Sequence, residues 1–108
     1  MGSSVSVNMA EIEQLVEELI ANNKIVIFSK TYCPYCTSTK TLFKKLGQDA
    51  TIIELDTRND GSAIQNYLLT KTGQRTVPNV FVKQQHIGGN DNVQAANGNG
   101  TLKKLLEA

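Results

Sequence analysis

The sequence predicts an α/β fold in which a four-stranded mixed sheet is flanked by about five helices. Up to Gly73, helix-like and strand-like patterns alternate, which is the order of a βαβ unit with two parallel strands. After Pro78, two short apolar runs are separated by Lys83-Gln84-Gln85, a spacing typical of an antiparallel hairpin. The length of 108 residues is that of about one domain.

The first helix and the first strand follow from the spacing of apolar residues. Asn8 is a candidate N-cap. The apolar residues that follow it at helical spacing are Ile12, Leu15, Val16, Leu19 and Ile20. Ile25-Val26-Ile27-Phe28 is a continuous apolar run, typical of a strand buried on both faces. We therefore expect a helix that ends near Asn22-Asn23, followed by a central parallel strand.

A second helix is predicted directly after the first strand. Pro34 suits the first turn of a helix, where its missing N–H costs nothing, and Gly47 can end that helix. The lysines of this helix, Lys40 among them, are expected to lie on a solvated outer face. The residues expected on its buried side are Leu42, Phe43 and Leu46.

The remaining elements are predicted from short apolar runs and the turn residues between them. Residues 51–55 are strand-like, and turn residues 59–62 lead into a third helix that ends at Gly73. Residues 80–82 and 86–87 form the strands of the hairpin, and two short helices follow, over 91–96 and after Gly100. We assign residues 9–108 to one domain and residues 1–8 to a flexible N-terminal segment.

Composition disfavours several classes of partner. Eleven Lys and Arg against ten Asp and Glu give a net charge of +1, so we expect neither nucleic acid nor an anionic membrane as a partner. No apolar stretch approaches 18 residues and residues 1–10 do not resemble a signal peptide, so we expect the chain in a reducing compartment such as the cytoplasm. We also expect a monomer. Met1-Gly2-Ser3-Ser4-Val5-Ser6 satisfies the loose pattern for myristoylation at Gly2, which stays an alternative.

The two cysteines, Cys33 and Cys36, are separated by two residues. A structural disulfide across so small a ring would remove little entropy from the unfolded chain. A structural zinc site needs four ligands, and here a single cysteine pair is accompanied by one distant histidine, His86, which we expect to be exposed and idle. A redox pair is the remaining interpretation, and no metal is expected.

The positions of the two cysteines predict different roles. A thiol attacks a disulfide as the thiolate. Cys33 falls where the strand gives way to the helix, in the N-cap region that favours an anion, and Lys30 can add a positive charge nearby. Cys36 lies one turn inside the helix and is expected to be buried. We therefore expect Cys33 to attack and Cys36 to resolve.

A proline marks the start of the third strand, in Thr76-Val77-Pro78. A proline here removes a hydrogen-bond donor from the sheet. A cis peptide bond before it would turn the preceding backbone sideways, whereas a trans edge proline is the ordinary alternative. Next to a Cys-x-x-Cys pair, the cis form is favoured.

Together these motifs resemble the glutaredoxin family, within the thioredoxin-like fold. The similarity runs from about Ala10 to the C-terminus. The motifs are Thr-Tyr-Cys-Pro-Tyr-Cys (31–36), Thr-Val-Pro (76–78) and Gly-Gly-Asn-Asp (88–91). The Pro-Tyr dipeptide between the cysteines points to the dithiol class, whereas thioredoxins have Trp-Cys-Gly-Pro-Cys and this chain has no Trp.

The resemblance implies glutathione as co-substrate, and glutathionylated or disulfide-containing proteins as partners. Lys30 would bind the glycyl carboxylate, and Val77, held by Pro78, would pair its backbone with the cysteinyl residue. Asp91 and Asn92, at a helix start, would bind the γ-glutamyl end. The other residues that the resemblance places at the site are Tyr35, Gln65, Thr76 and Gly89.

Several of these residues have alternative interpretations. Tyr35 could simply pack on the surface, and Gln65, three residues after Ser62, could complete a capping box. Gln74 and Arg75 could contact the ligand or only solvate a loop. Family members often end the Gly-Gly motif in Ser-Asp or Asp-Asp, whereas this chain has Asp91 and then Asn92, which removes one carboxylate that could bind the glutamyl ammonium.

The resemblance implies a glutathione-dependent thiol-disulfide oxidoreductase. Cys33 alone would reduce glutathione-protein mixed disulfides, and Cys33 with Cys36 would reduce protein disulfides. One alternative is a dimeric carrier of a [2Fe–2S] cluster, bound by Cys33 of two chains and two glutathiones. Another is a thioredoxin-like enzyme reduced by a flavoprotein. Pro34 argues against the carrier, because it stiffens the loop that must open around a cluster.

Overall fold

The computed structural model describes residues 8–108 of the chain. The predicted flexible segment, except Asn8, and the candidate lipidation site at Gly2 lie outside these residues. Asn8 is the N-cap of the first helix, since its Oδ1 accepts hydrogen bonds from the N–H of Ala10 and of Glu11. Among residues 8–108, no helix is long and apolar enough to span a bilayer.

The centre of the fold is a four-stranded sheet. Its strands are β1 (Ile25–Ser29), β2 (Thr51–Glu54), β3 (Asn79–Val82) and β4 (Gln85–Gly88). They are ordered β2-β1-β3-β4, with β1 parallel to β2 and antiparallel to β3, and with β4 antiparallel to β3. The predicted mixed sheet with its parallel pair and its hairpin is confirmed, and β1 is a central strand with a parallel neighbour on one side only.

In the described part of the chain, five α-helices cover the sheet, as predicted. They are α1 (Met9–Asn22), α2 (Pro34–Lys45), α3 (Gly61–Thr72), α4 (Asn90–Gly98) and α5 (Thr101–Glu107). A short 3₁₀ turn, Leu55–Thr57, connects β2 to the loop before α3. Pro34 is the first residue of α2, and Gly47 and Gly73 follow the ends of α2 and α3, as the sequence indicated.

The core consists of two layers that meet at β1. Successive side chains of a strand point to opposite faces of the sheet. Val26 and Phe28 pack with α1 and α3, whereas Ile25 and Ile27 pack with α2, α4 and α5. All residues of β1 are buried, which confirms that this strand is covered on both faces.

Two expectations for α2 are wrong. Leu46 was expected on the buried side but is exposed, because α2 ends at Lys45 and Leu46 is the C-cap outside the helical repeat. Lys40 does not extend freely into solvent. Its Nζ lies 2.7 Å from Oε2 of Glu54, the last residue of β2, and forms an ion pair with it.

The hairpin turn is shorter than the sequence suggested. Gln85 belongs to β4 and pairs with Val82, so only Lys83 and Gln84 form the turn. Both have positive φ angles, +48° and +70°, which is the backbone of a two-residue type I′ hairpin. The turn lies at the end of the sheet opposite the cysteines.

The buried centre of β1 predicts a strong effect of truncating Phe28. This ring is fully buried and meets the ring of Phe81 edge-on, with centroids 6.0 Å apart. We expect Phe28→Ala to lower the free energy of unfolding by about 3–5 kcal/mol, measured by urea denaturation, because it leaves a cavity in the core. The control Leu69→Ala, at an exposed position of α3, should cost under about 1 kcal/mol. Equal effects of the two substitutions would contradict this description of the core.

Candidate active site

Cys33 lies at the N-terminus of α2, where the loop that follows β1 enters the helix. Its N–H donates to Lys30 O at 3.1 Å, which closes a turn, and its side chain is the N-cap. Cys33 Sγ accepts the Cys36 N–H with a sulfur–nitrogen distance of 3.2 Å. A sulfur in this position is half-exposed to reactants and lies at the end of the helix that stabilises a negative charge.

A second backbone group meets the same sulfur from the loop before β3. The Cys33 thiol donates to Val77 O at 3.7 Å. The Val77–Pro78 peptide bond is cis, so the alternative that the sequence favoured is confirmed. Cys33 Sγ therefore lies between the start of α2 and the loop at residues 76–78.

Cys36 differs from Cys33 in its surroundings. The side chain is fully buried, and this burial raises the pKa of the Cys36 thiol to about 11, with the hydrogen bond to Cys33 acting in the same direction. Both cysteines are free thiols in the structure. Cys36 is therefore a protonated, inaccessible thiol at neutral pH, which agrees with the expected difference between the two cysteines.

A groove of about 330 Å³ lies beside Cys33. Six of the residues that the sequence singled out line it, including the exposed Tyr35. A seventh, Asn90, was not singled out, although it lies within the quoted Gly-Gly-Asn-Asp motif. The complete set of lining residues is Tyr35, Thr76, Val77, Pro78, Gly89, Asn90 and Asp91.

The start of α4 forms one wall of this groove. Gly89 is the N-cap of α4, and its N–H donates to Asn92 Oδ1 at 3.1 Å. A Cβ on Gly88 would lie 2.6 Å from the same oxygen, and Gly88 has a φ of +118°, so only glycine suits this position. The Asn92 side chain thus holds the Gly88-Gly89 backbone, while Asp91 lines the groove. Direct contact of Asp91 or Asn92 with a ligand stays a prediction.

Lys30 and Gln65, also predicted at the site, line a second cavity of about 210 Å³. The Gln65 side chain is buried, and its Nε2 donates to Arg75 O at 2.8 Å. Gln65 does not form the alternative capping box with Ser62, because its amide binds the loop at Arg75 instead. Contact of Lys30 or Gln65 with a ligand also stays a prediction.

Two residues that hold the site were not found from the sequence. Asp56 accepts hydrogen bonds from Thr31 N, at 3.0 Å, and from Thr31 Oγ1, and these bonds lower the pKa of the Asp56 carboxyl. Gln74, considered only as a ligand contact or a solvated loop residue, binds the backbone of the 76–78 loop. The role of Asp56 could have been predicted, because it follows β2 as Thr31 follows β1. The carboxyl ends of two parallel strands lie at the same edge of the sheet.

His86 is exposed, as expected, but it is not idle. Its Nε2 lies 2.8 Å from Oδ1 of the buried Asn79, and its ring centroid is 5.1 Å from that of Phe81. Partial burial lowers the pKa of His86. The contact supports Asn79, the residue that follows Pro78 at the start of β3.

Comparison with known proteins identifies the family. A family model described as Glutaredoxin matches residues 25–87. Glutaredoxin-1 of Rhizophagus irregularis is 48% identical over 100 residues, which cover 93% of this chain and 99% of that protein. The chain belongs to the glutaredoxin family. A glutaredoxin of Ricinus communis is 54% identical over 90 residues, or 83% of this chain and 88% of that protein.

Solved structures of the family share the fold. The buckwheat glutaredoxin-glutathione complex superimposes with a TM-score of 0.89 at 47% identity, covering 92% of this chain and 90% of that one. The thioredoxin-like fold expected from the sequence is therefore confirmed. Membership in the glutaredoxin family makes the chain a thiol oxidoreductase, and the Cys33–Cys36 pair places it with the dithiol members.

The unequal environments of the cysteines predict selective alkylation. At pH 8, we expect iodoacetamide to modify the native, reduced chain once, at Cys33, because Cys36 is buried and its pKa is raised to about 11. Mass spectrometry should find the second modification only after denaturation. As a control, native Cys33→Ser should stay unmodified under the same conditions. Modification of both cysteines at similar rates in the native chain would disprove this assignment.

Proposed function

We propose that this glutaredoxin is a glutathione-disulfide oxidoreductase that reduces glutathione-protein mixed disulfides and protein disulfides. The observation that carries the proposal is the position of Cys33 Sγ, half-exposed at the start of α2 and 3.7 Å from the carbonyl of a groove residue, Val77. A disulfide sulfur can reach Cys33 here while the rest of the ligand occupies the groove.

The groove has the chemistry to bind glutathione, a small peptide with two carboxylates and an ammonium group. Val77 offers backbone groups with which a cysteinyl residue can pair in the manner of an added strand. The N–H groups at the start of α4 suit one carboxylate, and Asp91 in that first turn suits the ammonium. Lys30 suits the other carboxylate. The buckwheat relative solved as a glutathione complex supports this assignment.

The first route uses Cys33 alone. The Cys33 thiolate attacks the glutathione sulfur of a mixed disulfide. A bond forms between Cys33 and that sulfur, the original disulfide breaks, and the substrate leaves as a thiolate that takes up a proton. The thiolate of a second glutathione then attacks the same sulfur, which releases oxidised glutathione and restores Cys33.

The second route adds Cys36. Cys33 attacks a protein disulfide and forms a mixed disulfide with one of its sulfurs. Cys36 loses its proton and attacks Cys33 Sγ, so the substrate leaves fully reduced and a Cys33–Cys36 disulfide remains. Two glutathiones supply the two electrons that reduce it. Because burial raises the pKa of Cys36, its proton must leave as it attacks, and the departing substrate thiolate takes up a proton in turn.

Cysteine variants test the two routes separately. We expect Cys36→Ser to keep the turnover of a glutathionylated peptide and to lose the reduction of a protein disulfide, since only the second route needs a resolving thiol. Cys33→Ser should lose both activities. Both are measured as glutathione-dependent turnover coupled to the reduction of oxidised glutathione. An active Cys33→Ser variant would refute the proposal.

The competing proposal is a glutathione-ligated [2Fe–2S] carrier that forms a dimer. Each chain would contribute Cys33, and two glutathiones would complete the four sulfur ligands. Two features restrain the loop that would surround the cluster. Pro34 is the first residue of α2, and the Cys36 N–H donates to Cys33 Sγ. Visible absorbance and a glutathione-dependent dimer after anaerobic purification would favour the carrier. Turnover with a flavoprotein reductase but not with glutathione would favour a thioredoxin-like enzyme.

We further propose that the chain acts as a monomer in a reducing compartment such as the cytoplasm. The glutathione that completes each cycle must be kept mainly reduced, and such a compartment supplies it. Its protein partners are the carriers of glutathionylated cysteines or of disulfides, with no role for nucleic acid or membrane. Size-exclusion chromatography with light scattering tests the monomer.

A further inference from the structure

The Gln74 side chain binds the loop that carries Val77. Gln74 lies between α3 and β3, and its Nε2 donates to Thr76 O and to Pro78 O, each at 3.0 Å. These two carbonyls belong to the residues on either side of Val77. A single amide group therefore fixes the orientation of both peptide planes next to the groove.

Other carbonyls of the same loop are also bound within the protein. Gln65 Nε2 donates to Arg75 O at 2.8 Å, and Asn79 Nδ2 donates to Gln74 O at 3.4 Å. Val77 is different. Its carbonyl meets the Cys33 thiol, and its N–H has no acceptor within residues 8–108. Val77 is thus the loop residue whose backbone groups remain available beside Cys33.

Gln74 is itself held and lies close to the opposite wall of the groove. Its N–H donates to Thr72 Oγ1 at 3.0 Å, and its half-buried side chain comes close to Gly89, where a Cβ would be 3.9 Å from Gln74 Nε2. The amide supports the Val77 loop through the two carbonyls that it binds. It does not line the groove.

We propose that Gln74 is a positioning residue for glutathione recognition: by binding the Thr76 and Pro78 carbonyls, it presents the Val77 backbone to the cysteinyl part of glutathione. This inference rests on the proposed function and adds a residue to it. It concerns the glutathionyl group specifically, because a thiol substituent without peptide groups has nothing to pair with Val77. Attack by Cys33 on such a substituent does not require the Gln74 hydrogen bonds.

Two nearly isosteric variants test this role. Gln74→Met removes both donors at similar volume, and Gln74→Glu replaces them with acceptors that repel the two carbonyls. Stopped-flow measurements, without free glutathione, would compare a glutathionylated peptide with the same peptide disulfide-linked to cysteamine. We expect the second-order rate constant for the glutathionylated peptide to fall about tenfold in Gln74→Met, equivalent to about 1.4 kcal/mol, and further in Gln74→Glu. The constant for the cysteamine disulfide should be unchanged.

The matched control is Gln14→Met, because Gln14 is an exposed glutamine of α1 whose amide, within residues 8–108, binds Glu18 alone. It should alter neither constant. Both Gln74 variants change a half-buried loop residue and are expected to fold, which circular dichroism checks. If the wild type preferred glutathionyl over cysteamine disulfides and both variants kept that preference, or lost both rates equally, the role of Gln74 would be overturned. A wild type without any preference would instead overturn the proposed function.

Discussion

The site depends on one constraint, which is that two backbone groups from different elements meet the Cys33 sulfur. The Cys36 N–H belongs to the first turn of α2, and the Val77 carbonyl belongs to the loop before β3. Both elements are positioned by β1, since α2 follows its carboxyl end and β3 pairs with it in register, Ile27 opposite Val80. The position of β1, which is buried on both faces, therefore brings both groups to the sulfur.

The start of α2 holds the two cysteines less than one helical turn apart, yet Cys33 is half-exposed and Cys36 is buried. Cys33, as N-cap, stands outside the helix and faces the groove, whereas Cys36 points into the core beneath it. The cost of ionising a buried thiol keeps Cys36 protonated. In the proposed function, Cys36 therefore takes no part in a reaction that needs one sulfur, and it acts only when a mixed disulfide on Cys33 provides both a target and a leaving thiolate.

Sequence reasoning succeeded where the physical signal is local or periodic. The elements, the pairing of the strands, the N-cap role of Cys33 and the burial of Cys36 all follow from spacing and from residue type. It failed where a side chain meets backbone that is irregular. Nothing in the sequence shows that Gln74 turns back onto Thr76 and Pro78, because such a contact depends on the path of the loop. The prediction for Leu46 was wrong for a related reason. Leu46 would be buried only if α2 were one residue longer, but the helix ends at Lys45.

Hydrogen bonds between neutral groups shape the groove, whereas Asp91, which lines it, is exposed. Three amide side chains, those of Gln65, Gln74 and Asn92, hold the Arg75-to-Pro78 loop and the Gly89 backbone. None of them titrates, so these hydrogen bonds do not depend on pH. In the proposed function, the charges that attract glutathione are those of Asp91, exposed in the groove, and of Lys30, half-buried in the second cavity, and solvent and salt screen them. Asn92 fits this division, because an amide caps Gly89 without adding a second carboxylate to the groove. In the proposed function, uncharged hydrogen bonds thus set the shape of the groove, and the charges of Asp91 and Lys30 attract glutathione.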